Sequence, residues 1–213
     1  MTKKELFFKI KQKLDILYPE VHCTLDYTTP FELLIATMLA AQCTDARVNI
    51  VTKEMFKKYN TPEAFAKLSL KEIENEIKST GFYHNKAKNI KKCSQQLLEL
   101  YNGEVPEDMD KLVELAGVGR KTANVVRGEI YGKPAVVIDT HAKRLAGRMG
   151  LTKSKDPVKI EFELKKFIPE EHQFDFCHSL VFHGREICKA QKPLCQKCTL
   201  NEICRYKNKN MQE

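Results

Sequence analysis

The segment DKLVELAGVGRKTANVVRGEIY, residues 110–131, decides the fold, because a short glycine turn separates two stretches of helical periodicity. Leu112 and Leu115 lie at helical spacing before the turn, and Val126 belongs to the apolar series after it. The turn itself is Gly117-Val118-Gly119. The pattern predicts a helix, a tight hairpin and a second helix. An ordinary corner between two helices is the alternative interpretation.

The glycine hairpin also predicts a binding site for an anion. Glycines let the backbone approach a ligand closely, and the amides that begin the second helix carry the positive end of its dipole. A phosphate of a DNA backbone suits such a site, although it carries no sequence information. We therefore expect Gly117, Val118, Gly119 and Arg120 to contact DNA.

Lys121 stands at the start of the second helix, directly after Arg120. The helix dipole and the neighbouring guanidinium both disfavour a protonated amine at this position. A free amine is what a lysine needs in order to attack carbon and form a Schiff base. The alternative is a lysine that is solvated or pairs with a phosphate.

Asp139 directly follows four apolar residues, Ala135 to Ile138. A carboxylate in that position is unlike an ordinary surface residue. It could cap a helix that begins near Thr140, or it could be a catalytic carboxylate at the wall of a pocket. The residues alone leave both interpretations open. The apolar segment itself reads as a short strand or as a buried extended link.

Four cysteines near the end of the chain follow a 6-2-5 spacing: Cys188, Cys195, Cys198 and Cys204. Four thiols within 17 residues, interrupted by lysines and a proline, indicate a metal site in a loop. Zinc takes four thiolates, usually as two close pairs, whereas a [4Fe–4S] cluster takes one thiolate per iron. The chemistry alone leaves the metal undecided. The loop lysines Lys189 and Lys192 could meet phosphates.

The composition agrees with a compact helical protein that binds a polyanion. Hydrophobic residues make up 42% of the chain, and 36 basic against 28 acidic side chains give a net charge of +8. Such a balance favours nucleic acid as the partner. Without a stretch long enough to cross a bilayer, we expect no membrane association and a cytoplasmic location, where thiols stay reduced.

These segments together resemble the endonuclease III family of bifunctional DNA glycosylases, part of the helix–hairpin–helix glycosylase superfamily. LAGVGRKTANVV (115–126) is similar to the family hairpin with its lysine, and VIDTHAKR (137–144) to the segment that bears the family aspartate. The cysteine spacing is similar to the family's [4Fe–4S] pattern. Further similar segments are FELLIATMLAAQCTDARVN (31–49), TGFYHNKAKNI (80–90) and HGREIC (183–188).

The resemblance implies an all-α, two-domain helix–hairpin–helix DNA glycosylase fold with a [4Fe–4S] cluster loop. Residues 22–132 would form a six-helix barrel domain that ends in the hairpin. Residues 1–21 and 133–213 would form a discontinuous domain that holds the cluster on the four cysteines.

The resemblance also assigns roles to single residues. Lys121 matches the catalytic lysine, and Asp139 matches the catalytic aspartate. Gln42 matches a residue that fills the gap left by a flipped nucleotide, and Phe82 stands where a residue inserts into the base stack. His141 falls in the aspartate segment and is expected to contact DNA.

The implied function is a base-excision-repair DNA glycosylase with abasic-site β-elimination lyase activity. It would remove oxidised or ring-saturated pyrimidines through a Schiff base on the lysine. The expected partner is double-stranded DNA that contains damaged pyrimidines or abasic sites. The protein is expected to act as a monomer in the cytoplasm, associated with the nucleoid.

Two positions depart from the family pattern, and three alternatives compete with it. Ala116 replaces a common proline before the first hairpin glycine, and Phe82 is larger than the leucine of close bacterial relatives. The second departure bears on the preference for the base opposite the lesion. The alternatives are a monofunctional adenine glycosylase, which lacks the lysine, a zinc-stabilised DNA-binding module, and an electron-transfer protein.

Overall fold

The computed structural model describes residues 1–211 and is all-α, as predicted. Its eleven α-helices within that range are α1 (Lys3–Leu17), α2 (Pro30–Leu39), α3 (Asp45–Lys58), α4 (Pro62–Lys67), α5 (Leu70–Ile77), α6 (Tyr83–Tyr101), α7 (Met109–Glu114), α8 (Arg120–Tyr131), α9 (Thr140–Met149), α10 (Pro157–Lys165) and α11 (Gln173–Glu186). Three 3₁₀ turns, Lys78–Thr80, Glu170–His172 and Cys195–Lys197, complete the described elements.

The described residues contain no strand, so the strand interpretation of residues 135–138 is wrong. Their side chains are buried, and the backbone between α8 and α9 is neither helical nor paired. A strand needs a neighbouring strand with which to exchange backbone hydrogen bonds, and this segment has none among the described residues. The segment is the buried extended link that was the other interpretation.

The chain divides into two compact units. A continuous unit comprises Cys23–Lys133, and a discontinuous unit comprises Met1–His22 and the chain from Pro134 onward. The continuous unit holds seven α-helices, of which α4 and α7 have only six residues each. The unit has seven α-helices with these two counted and five without them, and the six-helix barrel domain over residues 22–132 stays a prediction.

Helix α2 forms the centre of the continuous unit. Thr29 caps it by accepting a hydrogen bond from the Glu32 amide at 3.1 Å, and Pro30 occupies its first turn. All residues from Phe31 to Leu39 are buried, and α2 packs against α3, α6 and α8. A helix that is apolar on every side must be covered on every side. Among the described residues, no helix combines the length and apolarity needed to cross a bilayer.

The discontinuous unit joins the start of the chain to its last third. Helix α1 packs against α11, and α11 packs against α9. The Phe7 and Phe176 rings meet edge to face, with centroids 4.9 Å apart. A capping box between Thr2 and Glu5 begins α1, and this satisfies amides that the first turn leaves without helical partners.

Candidate functional site

The hairpin of the continuous unit lies directly against two other helices. Gly117 has φ +77°, and a Cβ added there would lie 2.7 Å from Asn89 Cβ on α6 and 2.9 Å from Met38 Cε on α2. Both the conformation and the contact exclude a side chain at this position. Gly119 is the N-cap of α8, has φ −90° and faces open space. The two glycines therefore have different roles. Gly117 allows close packing against α2 and α6, and Gly119 forms the exposed start of α8.

The amides of the hairpin are not all available to a ligand. Val118 is buried and donates its amide to Leu115 O at 3.1 Å, so its backbone N–H is used within the turn. Gly119 has no side chain that could cap α8. The dipole at the first turn of α8 therefore favours an anion next to Gly119 and Arg120.

Lys121 is exposed in the first turn of α8. Its ammonium is near Cys23, a half-buried residue at the start of the continuous unit. Burial raises the pKa of the Cys23 thiol to about 11, and the charge of Lys121 opposes that rise. Glu129, on the same helix as Lys121, accepts a hydrogen bond from the Tyr27 hydroxyl at 2.8 Å. The structure therefore presents an accessible amine near Cys23.

Gln42 and Phe82 have an unusual backbone conformation. Their φ values are +55° and +48°, in the left-handed region of backbone conformation that residues other than glycine rarely adopt. Both side chains are exposed, and Phe82 retains 65% of its accessible surface. The other non-glycine residues of positive φ in residues 1–211 are Asn102, which ends α6, and Lys192. Such strain is concentrated at functional sites in proteins.

Asp139 is the N-cap of α9 in the discontinuous unit. Its Oδ1 accepts a hydrogen bond from the Ala142 amide at 2.7 Å, so the capping interpretation is confirmed. Burial lowers the pKa of the nearby His141 imidazole, against the opposing effect of the Asp139 carboxylate. His141 Nδ1 lies 3.2 Å from Arg144 Nη2. The cap fixes the Asp139 carboxyl group in place and leaves its catalytic role a prediction.

The four predicted ligand cysteines line one cavity of the discontinuous unit. Its walls are mainly apolar and include Met149, Ile187, Leu194 and Leu200. Burial raises the pKa of the Cys198 thiol to about 11. Among the described residues, no group of three or more histidine, cysteine or acidic side chains is arranged to hold a single metal ion. The thiols thus surround a space rather than converge on one point.

Two arginines of α9 hold the loop that begins at Cys188. Arg144 donates to Cys188 O through Nε at 3.1 Å and Nη2 at 2.9 Å, and to Gly184 O at 3.0 Å. Arg148 donates to Lys189 O at 2.7 Å and Ala190 O at 2.9 Å, and its Nη1 lies 3.3 Å from Cys188 Sγ. These bonds orient the loop through its backbone. Lys189 and Lys192 are exposed on it.

The predicted site residues fall into two groups, one in each unit. The continuous unit holds Gln42, Phe82, Gly117, Val118, Gly119, Arg120 and Lys121. The discontinuous unit holds Asp139, His141, Cys188, Lys189, Lys192, Cys195, Cys198 and Cys204.

Sequence reasoning missed Lys86, Arg144 and Arg148. Lys86 had a detectable signal, because it falls on the buried face of α6 with Ile90, Cys93 and Leu97. A lysine within an apolar helical face is costly unless it has a specific partner. The two arginines gave no such signal, since their partners are backbone carbonyls of a distant loop.

Comparison with known proteins places these features in a family. Residues 35–170 match the model of the HhH-GPD superfamily base excision DNA repair proteins. The chain is 48% identical over 204 residues to endonuclease III of Synechocystis sp., which covers 95% of this chain and 93% of that protein. It is 43% identical over 191 residues to endonuclease III of Escherichia coli, with 90% of each chain covered.

Solved structures show the same similarity in three dimensions. A non-covalent complex of endonuclease III with DNA and a trapped covalent endonuclease III–DNA intermediate each match with a TM-score of 0.92. Each is 45% identical to this chain and covers 96% of both chains. A thermostable thymine-DNA glycosylase, 24% identical with a TM-score of 0.83, shares the fold.

The two hairpin glycines provide a matched pair of substitutions. Gly117→Ala places a Cβ against Asn89 and Met38 in a left-handed conformation, and we expect it to lower the free energy of unfolding by about 2–4 kcal/mol. Gly119→Ala meets no atom within 4 Å, and we expect a loss below about 1 kcal/mol, since alanine is the poorer N-cap. Urea unfolding followed by circular dichroism measures both. Equal losses would contradict the packing role of Gly117.

Proposed function

Because the chain belongs to the endonuclease III family of HhH-GPD superfamily base excision DNA repair proteins, we propose that it is a DNA glycosylase with abasic-site lyase activity. The observation that carries the proposal is Lys121, an accessible amine in the first turn of α8, directly after the glycine hairpin and Arg120. A relative 45% identical to this chain forms a covalent intermediate with DNA, and we infer that this chain forms one through Lys121.

The proposed reaction begins with a damaged nucleotide outside the base stack, since a side chain cannot reach its sugar within the duplex. The neutral Lys121 amine forms a bond to C1′ while the glycosidic C1′–N bond breaks, and the base leaves with the bonding electrons and takes up a proton. The C1′–O4′ bond then breaks, O4′ takes up a proton from solvent, and a protonated imine forms between C1′ and Nζ. Removal of a C2′ proton then breaks the C3′–O bond and releases the 3′ phosphate.

Asp139 would supply the negative charge for this reaction. Its carboxylate could stabilise positive charge on the sugar or assist the proton transfers. The cap on α9 uses Oδ1, and this holds the carboxyl group in one orientation before any substrate binds. Fixed charge that needs no reorganisation is an effective form of transition-state stabilisation.

Three groups of residues would bind the DNA around the reacting nucleotide. Gln42 would fill the gap left by the flipped nucleotide, and Phe82 would insert into the stack. Gly117, Val118, Gly119 and Arg120 would meet backbone phosphate, together with His141, Lys189 and Lys192. The positive φ of Gln42, Phe82 and Lys192 supports these assignments, because strained backbone is retained where function requires it. The substrates would be oxidised or ring-saturated pyrimidines in duplex DNA.

The four cysteines would hold a [4Fe–4S] cluster. The fit rests on the cavity that all four thiols line and on its apolar walls, which suit a cluster that takes one thiolate per iron. Arg148 Nη1 beside Cys188 Sγ provides a donor to a ligand sulfur. Base excision requires no electrons, so the cluster would shape the loop that carries Lys189 and Lys192. The units Cys23–Lys133 and Met1–His22 with the chain from Pro134 would be the family's barrel and cluster domains.

Borohydride reduction tests the role of Lys121. With duplex DNA that contains an abasic site, the native protein should give a covalent adduct, and Lys121→Gln should lower the yield by about a hundredfold or more. The matched control is Lys133→Gln, since native Lys133 pairs with Glu107 at 3.2 Å. This variant should give the adduct in native yield. Asp139→Asn retains a side chain that can cap α9 but loses the negative charge. This variant should therefore fold normally and form the covalent adduct more slowly. Trapping by Lys121→Gln at the native rate would reject the assignment.

Metal analysis tests the cluster. The purified protein should be brown and contain about four iron atoms and four inorganic sulfides per chain. Cys198→Ser should lose iron, whereas Cys43→Ser, outside the cavity, should retain it. A colourless protein with about one zinc per chain would contradict the cluster and favour a zinc site on the same cysteines.

The salt dependence of DNA binding tests the cluster loop. A Lys189→Ala, Lys192→Ala variant should lower the slope of log K against log salt by about one unit for each phosphate that these two lysines neutralise. The control variant Lys53→Ala, Lys57→Ala removes the same charge from α3, where Lys57 pairs with Glu54 at 2.8 Å. If both variants lower the slope equally, net charge rather than direct contact with phosphate explains the effect.

A further inference from the structure

We propose that Lys86 is a positioning residue that fixes the segments bearing Gln42 and Phe82 relative to each other; the inference rests on the proposed function of those two residues. Lys86 lies in the first turn of α6 and retains only 7% of its accessible surface. This burial distinguishes Lys86 from the exposed lysines, which could pair with phosphate. The proposal gives this lysine a role inside the protein rather than on its surface.

The Lys86 ammonium bridges two carbonyl groups from different parts of the continuous unit. Its Nζ donates to Leu39 O at 2.8 Å and to Thr80 O at 2.9 Å. Leu39 is the last residue of α2, and Thr80 ends the 3₁₀ turn that follows α5. Carbonyls at helix ends lack partners within the helix, so a buried donor there is needed for both.

Each of these carbonyls lies just before a residue that is proposed to enter the DNA. Leu39 precedes Gln42 by three residues, and Thr80 precedes Phe82 by two. The intervening backbone is short and partly fixed by its own hydrogen bonds, such as Cys43 N to Ala40 O at 3.1 Å. The ammonium therefore fixes the distance between the backbone segments that carry Gln42 and Phe82.

The strained backbone of both segments explains why such a clamp is required. Gln42 at φ +55° and Phe82 at φ +48° occupy conformations that persist only when the surroundings enforce them. Burial lowers the pKa of Lys86, and the nearby Cys43 thiol opposes that effect. With two carbonyl acceptors, the ammonium can enforce the geometry of both segments at once.

Helix α6 also supports the glycine hairpin, one turn further along. Asn89 is the residue against which Gly117 packs. The first two turns of α6 thus contact the Gln42 segment, the Phe82 segment and the hairpin. Lys86 donates the hydrogen bonds to the two segments, and an apolar residue of similar length would leave both carbonyls without this donor.

Excision from two DNA substrates distinguishes positioning from general damage to the fold. Lys86→Met should slow single-turnover excision of a ring-saturated pyrimidine from fully paired duplex by about ten- to hundredfold. It should have under about a threefold effect when the lesion lies opposite an abasic gap, where no partner base must be separated or replaced. Lys88→Met, on the exposed side of α6, should be near native on both substrates.

Conservative variants and a double substitution complete the test. Lys86→Arg should recover most of the excision rate on paired duplex. Lys86→Gln, which can donate a hydrogen bond to one of the two carbonyls, should have a rate between those of Lys86→Met and the native protein. Lys86→Gln also provides the test if Lys86→Met does not fold. Combined with Phe82→Ala, the effect of Lys86→Met should be much less than additive. Equal slowing on both substrates, or full additivity, would overturn the proposal.

Hydrogen exchange separates this inference from the proposed function. Amides of residues 40–43 and 80–83 should exchange faster in Lys86→Met than in Lys88→Met, whether or not the protein excises bases. Unchanged exchange would refute the clamp. Faster exchange in a protein without glycosylase activity would retain the clamp and reject the proposed function.

Discussion

The absence of a side chain at Gly117 is the constraint on which the continuous unit depends. Its backbone lies so close to Asn89 and Met38 that any Cβ would collide, and its φ of +77° excludes most other residues. The close approach fixes the start of α8, and with it the first-turn position of Lys121. An accessible amine at a helix start is common in proteins. Here its place is set by contact with α6, which also orients the segments of Gln42 and Phe82.

The discontinuous unit solves a different problem, since the cysteine loop contains little regular structure. One 3₁₀ turn, Cys195–Lys197, is its only helical element among the described residues beyond α11. The guanidinium groups of Arg144 and Arg148 replace the missing backbone pairing by donating to consecutive carbonyls of the loop. The Arg148 guanidinium also lies 4.5 Å from the centre of the Tyr206 ring. The loop is thus attached to α9, whose first residue follows the Asp139 cap.

Much of this arrangement could be predicted from the sequence. Helical periodicity on both sides of the glycine turn indicated the two helices that the structure contains there, and Asp139 was a candidate cap for the helix that begins at Thr140. Four consecutive apolar residues at 135–138 could not distinguish strand from link, because burial alone produces both. Arg144 and Arg148 could not be found from the sequence because their partners are backbone carbonyls, which every residue carries, whereas Lys86 could have been recognised from its place on the apolar face of α6. Single-residue roles came from resemblance, and the geometry now adds the strained backbone of Gln42 and Phe82.

The division of the chain also determines the order in which it can fold during synthesis. Helix α1 has a buried face that includes Leu6, Phe7 and Ile10, and it packs on α11, which begins only at Gln173. All of Cys23–Lys133 is translated in between. At about 5–20 residues per second, the apolar face of α1 waits roughly 8–30 s for its partner. Over that interval the nascent chain exposes the apolar face of α1, and the continuous unit is fully translated only about 40 residues before α11 begins.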